Sequence, residues 1–157
     1  IFQIPQVFAK KLPDLESKLN TALESGDIFS QQSAQELLPL VQQAKILAKK
    51  YDAVIANPPY VPLEHWADVP AEVRDHDPWM ALVSGHDGLD AMHVVAAVAA
   101  RLLRPGGVVC AEHAEVQEHT APAIFSDSGL FSRIQDHCDL TDRPRFVTAV
   151  RAGRMDA

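Results

Sequence analysis

The stretch Asp52-Ala53-Val54-Ile55-Ala56, followed at once by Asn57-Pro58-Pro59-Tyr60, limits this chain's folding more than any other feature. A short apolar run of this kind reads as a buried β-strand. Two consecutive prolines remove two amide donors and fix two φ angles, so neither a helix nor a central strand continues through them. The strand therefore stops near Ala56 and feeds a stiff loop. In open α/β sheets, ligands bind beyond the carboxyl ends of strands, where Asn57 to Tyr60 sit.

The rest of the chain supports an α/β reading. Before Tyr51 the pattern is helical. Pro13-Asp14 opens one helix with Leu15, Leu19, Ala22 and Leu23 on a face, stopped at Gly26. Ser33-Ala34-Gln35-Glu36 has the form of a capping box and predicts a second helix with Leu37, Val41, Ala44 and Leu47 or Ala48 on one face. Pro39 predicts a kink or a later start in that helix. After the prolines, residues 61–86 read as a long ordered loop, a type that in compact domains is usually functional. A helix is predicted over 87–104 and is ended by Pro105-Gly106-Gly107. Val108-Val109-Cys110-Ala111 reads as a second buried strand, with Cys110 buried and inert. A weaker helix over 116–125 and an antiparallel pair of strands, 131–137 and 145–150, complete the chain. The expected organisation is a helical segment, 1–50, a catalytic part, 51–151, and a short tail, 152–157.

Charge separates along the chain in the same place. All six Lys lie at or before Lys50 and all eight Arg at or after Arg74. This fits either ordinary domain differences or two segments of different ancestry meeting near Tyr51–Tyr60. The net charge of −7 is the wrong sign for a broad non-specific nucleic-acid surface. No apolar run approaches the ~20 residues of a membrane span. The start carries neither the basic nor the apolar region of a secretory signal, and no initiator Met, so a fragment without such a signal is expected. Two cysteines, Cys110 and Cys138, are too few for a disulfide framework, so a cytoplasmic location is expected. The seven His show no dense ligand spacing, so no metal is predicted and surface positions are expected for them.

The loop itself suggests chemistry. With two amide donors gone, it presents acceptors: the Asn57 side-chain oxygen and the Pro58 carbonyl. Tyr60 adds a flat face. This set suits a planar group bearing an NH₂, such as a carboxamide or an adenine. Holding both hydrogens frees the nitrogen lone pair to meet an electrophilic methyl, and placement supplies much of the rate. Glu112, at the end of the second strand, is a further candidate, equally readable as a solvated strand end.

Asn57-Pro58-Pro59-Tyr60 is the motif of class I S-adenosylmethionine-dependent methyltransferases acting on amide or exocyclic amino nitrogens. With Val73-Arg74-Asp75-His76-Asp77-Pro78, Ser84-Gly85-His86-Asp87-Gly88-Leu89-Asp90, Leu102-Leu103-Arg104-Pro105-Gly106-Gly107, Glu112-His113, Gln117 and Asp139-Leu140-Thr141-Asp142-Arg143-Pro144-Arg145-Phe146, the chain over about 52–151 resembles the release-factor glutamine methyltransferases. That resemblance implies the C-terminal half of a Rossmann-like sheet of order 3-2-1-4-5-7-6, with only strands 4 to 7 assignable. It implies S-adenosyl-L-methionine as cofactor and a peptide chain release factor as protein substrate, methylated at N5 of the Gln in its Gly-Gly-Gln tip. Asn57, Pro58, Pro59 and Tyr60 are then the catalytic loop, with Asn57 also facing the cofactor.

Residues 33–60 resemble instead the adenine-specific DNA methyltransferases of phage-defence systems, which share the tetrapeptide. Before Asn57 the only glycine is Gly26, in a helical context, so the Gly-rich turn and ribose-binding carboxylate of a donor site are not apparent. Two alternatives therefore stand beside protein methylation: DNA adenine N6-methylation, and a non-catalytic interaction module. Self-association through an exposed sheet edge is a further expectation.

Overall fold

In the computed structural model, which describes residues 4–153, Asp27 rather than Ser33 starts the long helix of the N-terminal segment. Its carboxylate accepts from the amides of Phe29 and Ser30 at 3.3 and 3.1 Å, satisfying two donors that a helix start leaves open. The described residues up to Lys50 and those from Tyr51 onward form two separate units. In the first, α1 (Gln6–Ala9) and α2 (Leu12–Leu23) precede α3 (Ile28–Ala48). Leu12 and Leu19 of α2 pack with Ala34 and Val41 of α3, and Lys45 pairs with Glu16 across them. The predicted capping box at Ser33 lies inside α3, because Asp27 already supplies the cap one and a half turns earlier. Pro39 does not delay the helix start: α3 runs through it, with one backbone donor missing there.

The second unit is a four-stranded sheet. β1 (Tyr51–Ala56) leads through α4 (Ala71–Arg74), α5 (Trp79–Leu82) and α6 (Asp90–Leu102) to β2 (Leu103–Glu112). From there α7 (Thr120–Asp127) leads to β3 (Phe131–Cys138) and β4 (Pro144–Arg151). The strand order is β1-β2-β4-β3, with β1 parallel to β2 and the other two pairs antiparallel. This is the 4-5-7-6 order implied by the resemblance. Alternate residues face α6 and α7, so Val109, Ala111, Val147 and Ala149 are fully buried against Met92, Ala99 and Phe125. Phe125 meets Phe131 edge-on with ring centroids 5.2 Å apart.

Several expectations need correction. β1 is not buried as its apolar run suggests: it is the last strand of the sheet, the edge expected where its usual neighbour is not apparent, and Ile55 is 84% exposed on the face away from α6. Pro105-Gly106-Gly107 does not separate helix from strand. β2 begins at Leu103, and the register with β1 jumps from Tyr51↔Leu103 to Ala53↔Val108, so these residues form a bulge inside β2. A Cβ at Gly107 would lie 3.0 Å from the Asp52 and Arg104 carbonyl oxygens, tighter than ordinary contact, so a side chain there requires these backbones to give way. The predicted helix over 87–104 is shorter at both ends, and that over 116–125 is a 3-10 turn (Glu115–Gln117) followed by α7. Cys110 is partly exposed, since its neighbours on that face leave it uncovered, although burial still pushes its thiol pKa up. Among the described residues no helix is long and apolar enough to cross a membrane.

Candidate functional site

The register places the site. Ala56 of β1 pairs with Ala111 of β2, so Asn57 and Glu112 leave the sheet side by side. Glu112 in turn pairs with Phe146 of β4, and the His113 amide donates to the Arg145 carbonyl at 2.9 Å. Three neighbouring strands thus bring Asn57, Glu112 and Arg145 to one end of the sheet.

The four residues of the proline loop occupy different environments. Asn57 is exposed and borders two clefts, of about 320 and 290 Å³. No hydrogen bond among the described residues engages its side chain or the Pro58 carbonyl, so neither acceptor of the loop has a partner there. Pro58 is buried, while Pro59 and Tyr60 are half-buried. The Tyr60 hydroxyl donates to Glu112 Oε1 at 3.1 Å. Burial pushes the Tyr60 phenol above its ordinary pKa; the Glu112 carboxylate adds to this, and the Arg145 guanidinium opposes it.

Behind the loop a hydrogen-bond network fixes the backbone. Gln117, 3% exposed, donates to the Tyr60 carbonyl at 3.1 Å and the Asp87 carbonyl at 3.2 Å, and accepts from the Ala114 amide at 2.9 Å. One buried amide side chain thus ties three loops together and leaves none of its main groups unpaired. Val61 and Val83 form a parallel bridge, with Val61 N–H on the Leu82 carbonyl at 2.9 Å and Ser84 N–H on the Val61 carbonyl at 3.0 Å. The buried Ser84 hydroxyl accepts from Ala91 N–H at 2.7 Å, holding the first turn of α6.

The glycines of Gly85-His86-Asp87-Gly88 serve this packing. Both have positive φ, +74° and +79°. A side chain at Gly85 would strike the Asp90 carboxylate, and one at Gly88 would strike the Tyr60 carbonyl and Gln117. The space a ligand would need over these glycines is filled by protein. Among the described residues no strand precedes β1, and Gly26 follows the helix α2. The described residues therefore do not by themselves fit a nucleoside-bearing methyl donor.

Sequence reasoning named Asn57, Pro58, Pro59, Tyr60 and Glu112, and the structure brings these together. Gln117 and Arg145 stand in it only among the residues that carry the resemblance, with no place in the site. Their roles there become visible only when β4 is placed beside β2 and the 115–117 turn beneath the loop. It also placed the histidines on the surface, yet His113 is fully buried, its ring nitrogens 2.9 Å from the Ala114 carbonyl and 2.7 Å from Asp136 Oδ1. Among the described residues no group of three or more His, Cys, Asp or Glu is placed to hold a metal.

No protein-family model matches the chain. Curated relatives do. The release factor glutamine methyltransferase of Streptomyces coelicolor is 52% identical over 101 residues, 64% of this chain and 36% of that protein. That of Mycolicibacterium smegmatis is 37% identical over 139 residues, 88% of this chain and 47% of that protein. A match of that length includes residues 19–139 wherever it begins, so similarity to this group is not confined to the residues after Tyr51. A 4-amino-L-phenylalanine/4-methylamino-L-phenylalanine methyltransferase of Streptomyces pristinaespiralis is 39% identical over 105 residues, 67% of this chain and 35% of that protein. The chain thus spans about a third to a half of the length of these relatives. It is related to the release factor glutamine methyltransferases, and its sheet is the C-terminal half of a class I methyltransferase sheet.

Proposed function

We propose that this relative of the release factor glutamine methyltransferases carries the acceptor half of an S-adenosyl-L-methionine-dependent N-methyltransferase. Its substrate is the Gln of the Gly-Gly-Gln tip of a peptide chain release factor, methylated at N5. The observation that carries this reading is the pair of open acceptors on a fixed loop. Asn57 Oδ1 and the Pro58 carbonyl have no protein partner among the described residues, while Gln117 and Glu112 hold Tyr60 behind them.

The bound donor would supply an electrophilic methyl. The chain's own residues handle the acceptor. Asn57 Oδ1 and the Pro58 carbonyl each accept one hydrogen of the carboxamide NH₂. This fixes the plane of the amide and weakens conjugation of its lone pair. The Tyr60 ring covers one face of that plane. No strong base is required: the alkylated nitrogen takes on the positive charge that the donor would lose, so its proton is acidic and passes to water. Placement, rather than proton abstraction, carries the rate. Because the described residues do not fit the donor, this chain alone binds S-adenosyl-L-methionine weakly or not at all and does not turn over.

The test is a graft. Residues 51–153 replace the corresponding stretch of the Streptomyces coelicolor relative, and labelled methyl transfer is followed to three acceptors: a release factor, the same factor with its tip Gln replaced, and an adenine-containing DNA duplex. Label on the first alone supports the reading. Label on the DNA favours adenine N6-methylation, and no label with a folded graft contradicts both.

A further inference from the structure

Beside Asn57, the cleft of about 290 Å³ has an unusual lining for a site that needs to hold only a carboxamide. Ile55, Cys110 and Phe146 form an apolar floor, and Glu112 and Arg145 bring opposite charges to its edge. Tyr60 holds one oxygen of Glu112, at 3.1 Å. No hydrogen bond among the described residues engages the other, which remains an acceptor. Arg145 is anchored by its Nε and Nη2, each 3.4 Å from Asp139 Oδ2, and a guanidinium has five N–H donors, so several remain. Asp139 is a firm anchor. The Thr141 hydroxyl, helped by the amides of Thr141 and Arg143, holds its carboxylate well below the usual range, so it stays charged.

We infer that Glu112 and Arg145 form a subsite for the main chain of the acceptor amino acid, Glu112 accepting from its α-nitrogen and Arg145 donating to its carbonyl or carboxylate. This rests on the acceptor reading above and deepens it. The two main-chain groups of one residue differ as the two side chains do: one donates and the other accepts. Asn57 and Glu112 leave adjacent strands, which lie ~4.8 Å apart, and a glutamine side chain spans a comparable gap between its amide nitrogen and its α-carbon. A nucleotide fits worse. Its flanking groups are phosphates, which the Glu112 carboxylate repels, and the second unit carries sixteen acidic residues against eight Arg. The same chemistry exists in a peptide and in a free amino acid, whose ammonium and carboxylate would meet Glu112 and Arg145.

The experiment uses the 157-residue chain and NMR titration, with three probes: acetyl-Gly-Gly-Gln-N-methylamide, free L-glutamine and adenosine monophosphate. The expected result is that the peptide or the amino acid perturbs the resonances of Asn57, Glu112 and Arg145 together. Glu112→Gln and Arg145→Met are then expected to weaken that probe about tenfold or more, as for a lost charge-assisted hydrogen bond. Arg145→Lys, which keeps the charge, is expected to recover part of the loss. Preference for the blocked peptide identifies a peptide substrate, and preference for glutamine a free amino acid. Glu112→Gln retains an acceptor for Tyr60, so native-like amide spectra distinguish lost contact from lost fold. Peptide binding at Asn57 that neither variant changes overturns the subsite and leaves the acceptor reading standing. Binding of adenosine monophosphate alone, or of no probe, overturns both.

Discussion

Asn57 is exposed and unbonded among the described residues, so the chemical role proposed for it can be tested apart from any role in stability. In a graft that supplies the donor half, Asn57→Ala is expected to lower methyl transfer by at least ~100-fold, the scale of removing one oriented polar group from a reacting centre. The urea midpoint should stay within the ~0.5 kcal/mol typical of surface changes. Near-normal turnover would show that the amide does not seat the acceptor. Tyr60→Phe keeps the ring but removes the bond to Glu112, so it should be milder than Tyr60→Ala; equal loss would mean that ring stacking is not its contribution. The phenol also gives a titration. Its pKa lies above 10.0, first through burial and then through Glu112. A folded-state pKa raised in this way contributes stability that is intact below pH ~10 and is lost as pH rises toward the folded value. Ultraviolet titration should show a phenol that ionises late, and Glu112→Gln should move it part of the way back.

At the scale of elements, the proline loop depends on segments remote in sequence. Gly88 has φ +79°, and a Cβ there would meet the Tyr60 carbonyl. Gly88→Ala is therefore expected to destabilise by about 1–3 kcal/mol in urea unfolding, combining backbone strain with the displaced carbonyl. A change under 0.5 kcal/mol would mean that the 85–88 turn is free to move. In the core, Phe125→Ala should destabilise by about 3–5 kcal/mol, because the ring is fully buried against Phe131. The elements that determine the site were legible in the sequence to different degrees. The strand ending at Ala56 and the Pro-Pro stop could be read locally, since hydrophobic pattern and proline sterics are local. The closing hairpin of β3 and β4 could be read for the same reason. The edge position of β1 followed from the resemblance, in which its usual neighbour is not apparent, whereas the bulge at Pro105-Gly106-Gly107 and the Gln117 buttress could not be read. Each depends on which strand or loop lies alongside, and spacing along the chain does not contain that. Asp27 lacks the glutamate or glutamine three residues on that marks a capping box and that Ser33 has, so the local pattern favours the wrong cap.

For the molecule as a whole, the sheet order and the relatives agree on the C-terminal half of a methyltransferase sheet. β1 is its terminal strand, with Ile55 84% exposed beside the partly exposed Val108. A terminal strand with apolar residues on an open face favours pairing with another chain. The 157-residue chain is therefore expected to self-associate in size-exclusion chromatography with light scattering, and Ile55→Lys is expected to reduce it. A monomer at high concentration would show that the edge is protected. The most direct measurement of the central claim is a mass spectrum of the Gly-Gly-Gln tip peptide of a release factor. The factor is first incubated with the graft bearing residues 51–153 and S-adenosyl-L-methionine. The account predicts one added methyl on the tip Gln, absent when Asn57 is replaced by Ala. An unmodified tip from a folded graft, or a methyl that persists in the Asn57→Ala graft, would contradict it.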